Sequence, residues 1–319
     1  MIGRRTLLAA AALPVAARAQ APWPDRAVRL VVPYPPGGPT DILARLLAER
    51  LAEQWKQPVT PENRPGGGSS IGAGLVAAAP PDGHTLLVTA SAHVMSAPLI
   101  PRLAYHPARD FTALVQAVYH PFVLVVHPSV PARSFAEFLA LARREPGGIT
   151  IGTAGVGNAS HLAMGLLNLM AGIELTHVPF SGSAPAQTAL LGGQVKGAFL
   201  NSTVAMPVIR EGSVVPLATT AATRWRELPA LPTIAEAGYP GFEALSWYGV
   251  LGPARMAPAL VDRVAGDMLG VLRQPAVRDR LVGVGLDMMD VGSAGFGTAL
   301  AAEAEKWAEV VRRTGMAGN

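Results

Sequence analysis

The residues best placed to do chemistry fall in three glycine-rich stretches, each where a short apolar run gives way to an amphipathic one. They are "PYPPGGPTD" (33–41), "ENRPGGGSSIG" (62–72) and "GTAGVGNASH" (152–161). In the first, the prolines stiffen the exit from a strand, Gly37 and Gly38 let the backbone approach a partner, and Thr40 or Asp41 can cap a helix. A glycine turn that feeds a helix presents unpaired main-chain N–H groups and the positive end of the helix dipole. That arrangement favours an anion by about 0.3–1 kcal/mol when exposed. The chemistry implied is recognition of a carboxylate or phosphate, and three such turns fit one cleft.

Bond-making chemistry has one signal. Gly68-Ser69-Ser70-Ile71-Gly72 matches G-x-S-x-G, the nucleophile elbow of α/β hydrolases, which needs a strand running directly into the serine. Here Pro65-Gly66-Gly67-Gly68 intervenes, so Ser70 reads as a helix start, and a secreted hydrolase using Ser70 stands as the alternative. The third stretch has Gly155 and Gly157 but no third glycine of a dinucleotide fingerprint, and no G-x-x-x-x-G-K-[ST] occurs. The histidines (His84, His93, His106, His120, His127, His161 and His177) show no metal-ligand spacing, and there is no cysteine, so no metal or cofactor is expected. His161 begins a helix beside the third turn, where it would add positive charge at low pH.

The elements that must position these turns alternate. "VRLVVPY", a helix over 41–55, "PVT", a helix over 71–79 and "HTLLVTA" form one series. "FVLVVH", a helix over 134–144, "ITIGTA", a helix over 160–170, "LTHVPF", a helix over 184–191 and "VKGAFL" form a second. This is the pattern of parallel sheets with crossover helices. After "VVPLATT" the pattern loosens through "LPALPTIAEAGYPGFEALSWYG", which reads as a crossing between domains. Helices over 257–272 and 295–311 then pack back onto the first domain. The fold class is α/β: two lobes joined by two strands, one of residues 20–121 with 246–319, the other of 122–245, with a ligand between them. Trp247 and Tyr248 sit where the chain crosses back; they are expected to pack the hinge, the sharper alternative being that one walls the cleft.

The 319 residues are half hydrophobic, enough for a substantial core. The formal charge of +4 falls to +1 without Arg4, Arg5 and Arg18, so no nucleic-acid partner is expected. Those arginines belong to an export signal over 1–19: a basic start, the apolar "TLLAAAALPVAA", and Ala17-Arg18-Ala19 before Gln20. The Arg4-Arg5 pair leaves both the Sec and the twin-arginine routes open. No later apolar stretch is long enough to span a bilayer.

"VRLVVPYPPGGPTDILAR", "PENRPGGGSSIGAGLVAAAPPDGHTLL", "THVPFSGSAPAQTALLGGQVKGAF" and "LPTIAEAGYPGFEALSWYGVLGPA" together resemble the periplasmic solute-binding proteins of tripartite tricarboxylate transporters, also called the Bug family. The resemblance runs from about Pro24 to the C-terminus. It implies a type II periplasmic binding (Venus flytrap) fold that closes on a small carboxylate: a dicarboxylate, tricarboxylate, acidic amino acid or aromatic acid. It also implies a monomer that performs no chemistry and passes its guest to permease subunits or to a sensor partner. By position the first lobe's site maps to Tyr34, Gly37, Gly38, Thr40, Asp41, Gly67, Gly68 and Ser69. The second lobe's maps to Thr153, Gly155, Asn158, Ser160, His161, Phe180, Ser181, Gly182 and Ala184. Thr40, Ser69, Thr153, Ser160 and Ser181 are the expected hydroxyl donors. Family members often carry Tyr-Lys-Gly where this chain has Phe180-Ser181-Gly182, Asp where it has Lys196, and Asp-Asn where it has Leu200-Asn201, departures that bear on the choice of guest.

Overall fold

The computed structural model describes residues 23–316. The export signal expected over 1–19 lies outside the described residues. The first half of the chain runs β1 (Val28–Val32), α1 (Pro39–Trp55), β2 (Val59–Asn63), a 3₁₀ turn (Gly67–Ser69), α2 (Ser70–Ala77), β3 (Thr85–Ala90) and α3 (Ala92–Met95). A long strand β4 (Phe111–Val126) leads to α4 (Phe135–Arg144), β5 (Thr150–Thr153), α5 (Ala159–Ala171), β6 (Thr176–Pro179), α6 (Ser183–Leu191), β7 (Gly197–Asn201), α7 (Ser202–Arg210) and β8 (Val215–Thr219). The chain ends with β9 (Leu245–Pro253), α8 (Pro258–Leu272), α9 (Pro275–Gly283), β10 (Asp287–Gly292) and α10 (Ser293–Thr314).

The strands pair in the order β2-β1-β3-β9-β4-β7-β5-β6, with β8 and β10 also on β4. β1 lies parallel to β2 and β3, and β5 parallel to β6 and β7, so helices must cross over each group. Strand β1 is apolar at every position but Arg29, as a strand covered on both faces should be. Helix α1 buries Leu43, Leu47 and Leu51, spaced by four, and starts at Pro39, whose missing N–H costs nothing in a first turn.

β4 is where the sheet changes hands. Residues 111–121 pair with β9, and Phe122–Val126 pair with β7 and β8. Pro121 marks the switch with a residue that has no N–H to give either neighbour. Buried Thr220 stitches the crossing. Its hydroxyl accepts from the Phe122 N–H at 2.9 Å and donates to the Ala244 carbonyl at 2.6 Å, so the outgoing and returning strands are tied side by side. The chain thus forms two α/β halves around a shared pair of strands.

Helix α8 lies against α1 and β4. Helix α10 reaches further than the packing expected of it. It starts on β4, where the Ser293 hydroxyl donates to the Ala113 carbonyl at 2.7 Å, and its last turns meet α5 of the other half. There Gly165 has no Cβ because the Met316 side chain occupies that space.

Candidate functional site

The loop after β1 is organised by Asp41. This buried carboxylate accepts from the Gly37 N–H (3.0 Å), the Arg45 guanidinium (2.8 Å) and the Asn63 amide (3.0 Å), and Asn63 also donates to the Tyr34 carbonyl. Burial alone would raise the carboxyl's pKa. The three donors outweigh it and hold the group below the usual aspartate range. Asp41 therefore shapes the loop from behind. The first α1 residue whose N–H finds an intrahelical acceptor is Ile42, bonded to the Gly38 carbonyl at 3.0 Å, which leaves the N–H groups of Thr40 and Asp41 for a guest.

The second turn is left-handed throughout, with φ of 128°, 58°, 64° and 81° at Gly66, Gly67, Gly68 and Ser69. Three of these residues have no Cβ to object. Ser69 does, and a non-glycine residue held there stores about 1 kcal/mol or more, a strain typical of ligand sites. Consecutive N–H groups in such a turn form a concavity that suits an anion. Gly72 lets this turn seat against the first loop: a Cβ there would lie 2.8 Å from both the Arg64 carbonyl oxygen and the Pro33 Cβ. Ser70 begins α2 after this turn, seven residues beyond the last residue of β2 at Asn63, so the strand-to-serine geometry of a nucleophile elbow is absent.

The third turn faces these two from the other half, and most of its donors are used at home, while the N–H groups of Val156 and Ala159, both in the cavity lining, have no acceptor among the described hydrogen bonds. Asn158 caps α5 by accepting the Ser160 N–H at 3.1 Å, the Ser160 hydroxyl oxygen accepts the Ala154 N–H at 2.9 Å, and His161 Nδ1 accepts the Gly157 N–H at 3.2 Å. The His161 ring stacks on His177 at 3.7 Å between centroids, and His177 Nε2 lies 2.6 Å from the Thr153 hydroxyl. Burial first, and the neighbouring His177 second, push the His161 pKa down to about 4. The positive charge expected of His161 at low pH is thus withheld until strongly acidic conditions.

Between the halves lie two adjoining cavities of about 410 and 390 Å³ that share Tyr34, Pro35, Ala92 and Asn158. Of the residues expected from the sequence, Tyr34, Gly38, Thr40, Gly68, Ser69 and Asn158 line them. Gly37, Asp41 and Gly67 lie in the same turns but outside that lining. Thr153, Ser160 and His161 are buried in support of the α5 turn. Gly155 takes φ 122° where a Cβ would come within 3.1 Å of the Phe180 carbonyl oxygen, and the Phe180 ring packs beneath Gly152. Ser181 and Ala184 are exposed around Gly182 at the start of α6.

The lining also holds residues the sequence reading missed, Ser91, Ala92 and Ser96 after β3 and Ser246 on β9, together with Tyr248, one of the two aromatics noted at the crossing. The rule that ligands gather at strand carboxyl ends pointed to the end of β3. Ser246 and Tyr248 arrive by pairing, since Tyr248 lies opposite Ala90. Trp247 and Tyr248 point to opposite faces of β9: Trp247 packs edge-on against Phe296, while the Tyr248 hydroxyl meets His120 Nε2 at 3.1 Å. Burial pushes the Tyr248 phenol up to about 12 and His120 down to about 4, so this pair is neutral.

A separate hollow of about 440 Å³ lies between α7 and the α9–β10 turn. Asp287 bridges beside it, accepting from Trp225 Nε1 and Arg226 Nε, both at 2.5 Å. Among the described residues no group of three or more histidines and acids is placed to hold a metal ion, and no helix is long and apolar enough to cross a membrane.

Two α/β halves on a shared strand pair, with anion-ready turns facing across a cleft, are the architecture of periplasmic solute-binding proteins. Solved structures agree: Rpa4515 of R. palustris with adipate superimposes at a TM-score of 0.74, with 35% identity over 92% of this chain and 98% of that one. MatC of Rhodopseudomonas palustris with bound malate gives 0.72, with 34% identity over 91% of this chain and all of that one. A UPF0065 protein from the tcbD-tcbE intergenic region of Pseudomonas sp. strain P51 is 37% identical over 97% of this chain and 94% of its own length. Residues 43–316 match the tripartite tricarboxylate transporter family receptor, TctC, and the chain belongs to that family.

Proposed function

We propose that this chain is a periplasmic receptor that traps a small carboxylate between two lobes, residues 20–121 with 246–319 and residues 122–245, and presents it to a membrane permease. Residues 1–19 direct its export. The observation that carries this reading is the pair of unsatisfied main-chain donor sets, the first turn of α1 and the Gly67–Ser69 turn, opening on cavities closed by Asn158 of the opposite lobe. Relatives holding adipate and malate support a carboxylate as the guest. No bond is made or broken: Ser70 has neither the strand approach nor a histidine partner among the described hydrogen bonds. A carboxylate touching both lobes stabilises only the closed state, so binding draws the population there.

The test is thermal unfolding of the chain from Gln20 with adipate, malate, citrate, glutamate and benzoate, alongside small-angle scattering. A guest at about 100 times its dissociation constant adds roughly 2.7 kcal/mol of stability. A saturable rise in melting temperature with a smaller radius of gyration is expected. No shift and no compaction with any acid defeats the proposal.

A further inference from the structure

We infer that Ser246 determines specificity by presenting the guest with a hydrogen-bond acceptor, and that the guest carries a hydroxyl group beside its carboxylate. This rests on the receptor reading above and narrows its substrate class.

Four groups run in a chain from the cleft to the hinge. Ser246 and Tyr248, both on β9, line the cavity of about 410 Å³. The Ser246 hydroxyl lies 3.3 Å from the Tyr248 hydroxyl, which lies 3.1 Å from His120 Nε2. His120 Nδ1 lies 3.3 Å from the carbonyl oxygen of Pro121, the residue at which β4 changes partners.

The polarity of this chain is fixed from the hinge end. A carbonyl oxygen only accepts, so Nδ1 carries the proton of the His120 ring, which burial keeps neutral. Nε2 is then bare and accepts from the Tyr248 hydroxyl. With its one proton spent, the Tyr248 oxygen accepts from Ser246. Every proton points towards the hinge, and the Ser246 oxygen stands at the cleft end with lone pairs to offer. Turning Tyr248 the other way would strand Nε2 on a ring that is only 5% exposed, and an unpaired buried polar atom costs more than one ordinary hydrogen bond contributes.

A carboxylate oxygen at Ser246 would set lone pairs against lone pairs. The acid belongs at the free N–H groups instead, those of Thr40 and Asp41 on one lobe and of Val156 and Ala159 on the other. A hydroxyl fits Ser246 because it donates, and one more donor at the end of the chain polarises each bond behind it. An analogue lacking that hydroxyl leaves the Ser246 oxygen dried and unpaired, the kind of mismatch a polar site rejects best.

The test is isothermal titration of the chain from Gln20, wild type and Ser246→Ala, with two pairs of acids that differ by one hydroxyl: malate and succinate, mandelate and phenylacetate. The hydroxy acid of a pair that binds is expected to bind at least about fivefold more tightly than its partner, the worth of one hydrogen bond, and Ser246→Ala is expected to abolish that preference while leaving the affinity for the partner unchanged. 2-Fluorosuccinate, close to malate in shape but with no proton to give, is expected to bind like succinate. Equal binding within a pair, a preference that survives Ser246→Ala, or 2-fluorosuccinate binding like malate overturns the inference. If neither hydroxy acid binds while adipate raises the melting temperature, the inference falls and the receptor reading stands. If no acid binds, both fail.

Discussion

Replacing Glu303 with glutamine tests how the C-terminal helix meets the crossing strands. Glu303 on α10 accepts a hydrogen bond from Trp247 Nε1 of β9 at 2.8 Å, and nearby Lys306 donates to the Glu243 carbonyl at 2.6 Å. Burial is the largest influence on Glu303 and pushes its carboxyl from 4.5 up to about 7, despite the Trp247 bond and the Lys306 charge, which pull the other way. Between those two pH values the folded chain keeps a proton that the unfolded chain has released. Stability therefore falls as pH rises through this window and is fully lowered above about 7. At about 1.4 kcal/mol per unit the shift corresponds to about 3 kcal/mol as an upper bound, since the side chain is only partly shielded. Glutamine keeps an acceptor for Trp247 and has no charge to bury. Glu303→Gln is expected to match wild type at pH 5 and to exceed it by up to about 3 kcal/mol at pH 8, measured by urea unfolding followed through tryptophan fluorescence. A variant less stable than wild type at pH 8 would show that the carboxylate is ionised and held by Lys306, and would refute the reasoning.

Three other perturbations probe the cleft and its supports. Asp41→Asn weakens the donors' grip on the first loop and is expected to cost about 1–2 kcal/mol at pH 7. Because the folded Asp41 carboxyl is held below its usual value, that advantage of wild type should vanish as pH falls below about 3.8, read from urea midpoints across pH. Gly72→Ala drives a Cβ into backbone and ring atoms at 2.8 Å; a loss of about 1–3 kcal/mol and a large fall in ligand affinity by titration calorimetry are expected. Asp287→Asn removes the charge that Trp225 and Arg226 share, and small-angle scattering should show a larger radius of gyration in the unliganded variant.

The β1–α1 turn was legible because Pro-Gly-Gly-Pro after an apolar run allows little else. Helix α7 was not, because Pro207 interrupts its interior and hides the periodicity, although Asn201 caps it with a bond to the Val204 N–H. Strand β10 reads "DMMDVG", too polar to announce itself, and is made a strand by pairing with β4. In the site, residue types could be read but their partners could not. Asn158, Ser160 and His161 have the chemistry of anion donors, yet the fold gives them one another. Ser246 has no local signal at all, and Tyr248 could be marked only as one of two aromatics at the crossing, since only the β3–β9 pairing sets them beside Ala90 and Ser91.

The way the strands interleave also sets an order of assembly. β4's outer portion and strands β5 to β8 find all their partner strands within residues 122–219, with one further bridge from Thr219 to Thr233. β3 and the start of β4 must wait for β9, where Ala90 meets Tyr248 and Phe111 meets Pro253. A chain emerging N-terminus first, as through a channel that threads unfolded polypeptide, completes its middle before its ends can join. Until residues 245–292 are delivered, the earliest-made strands have an uncovered edge, the state in which a chain is most open to proteases and most in need of a chaperone.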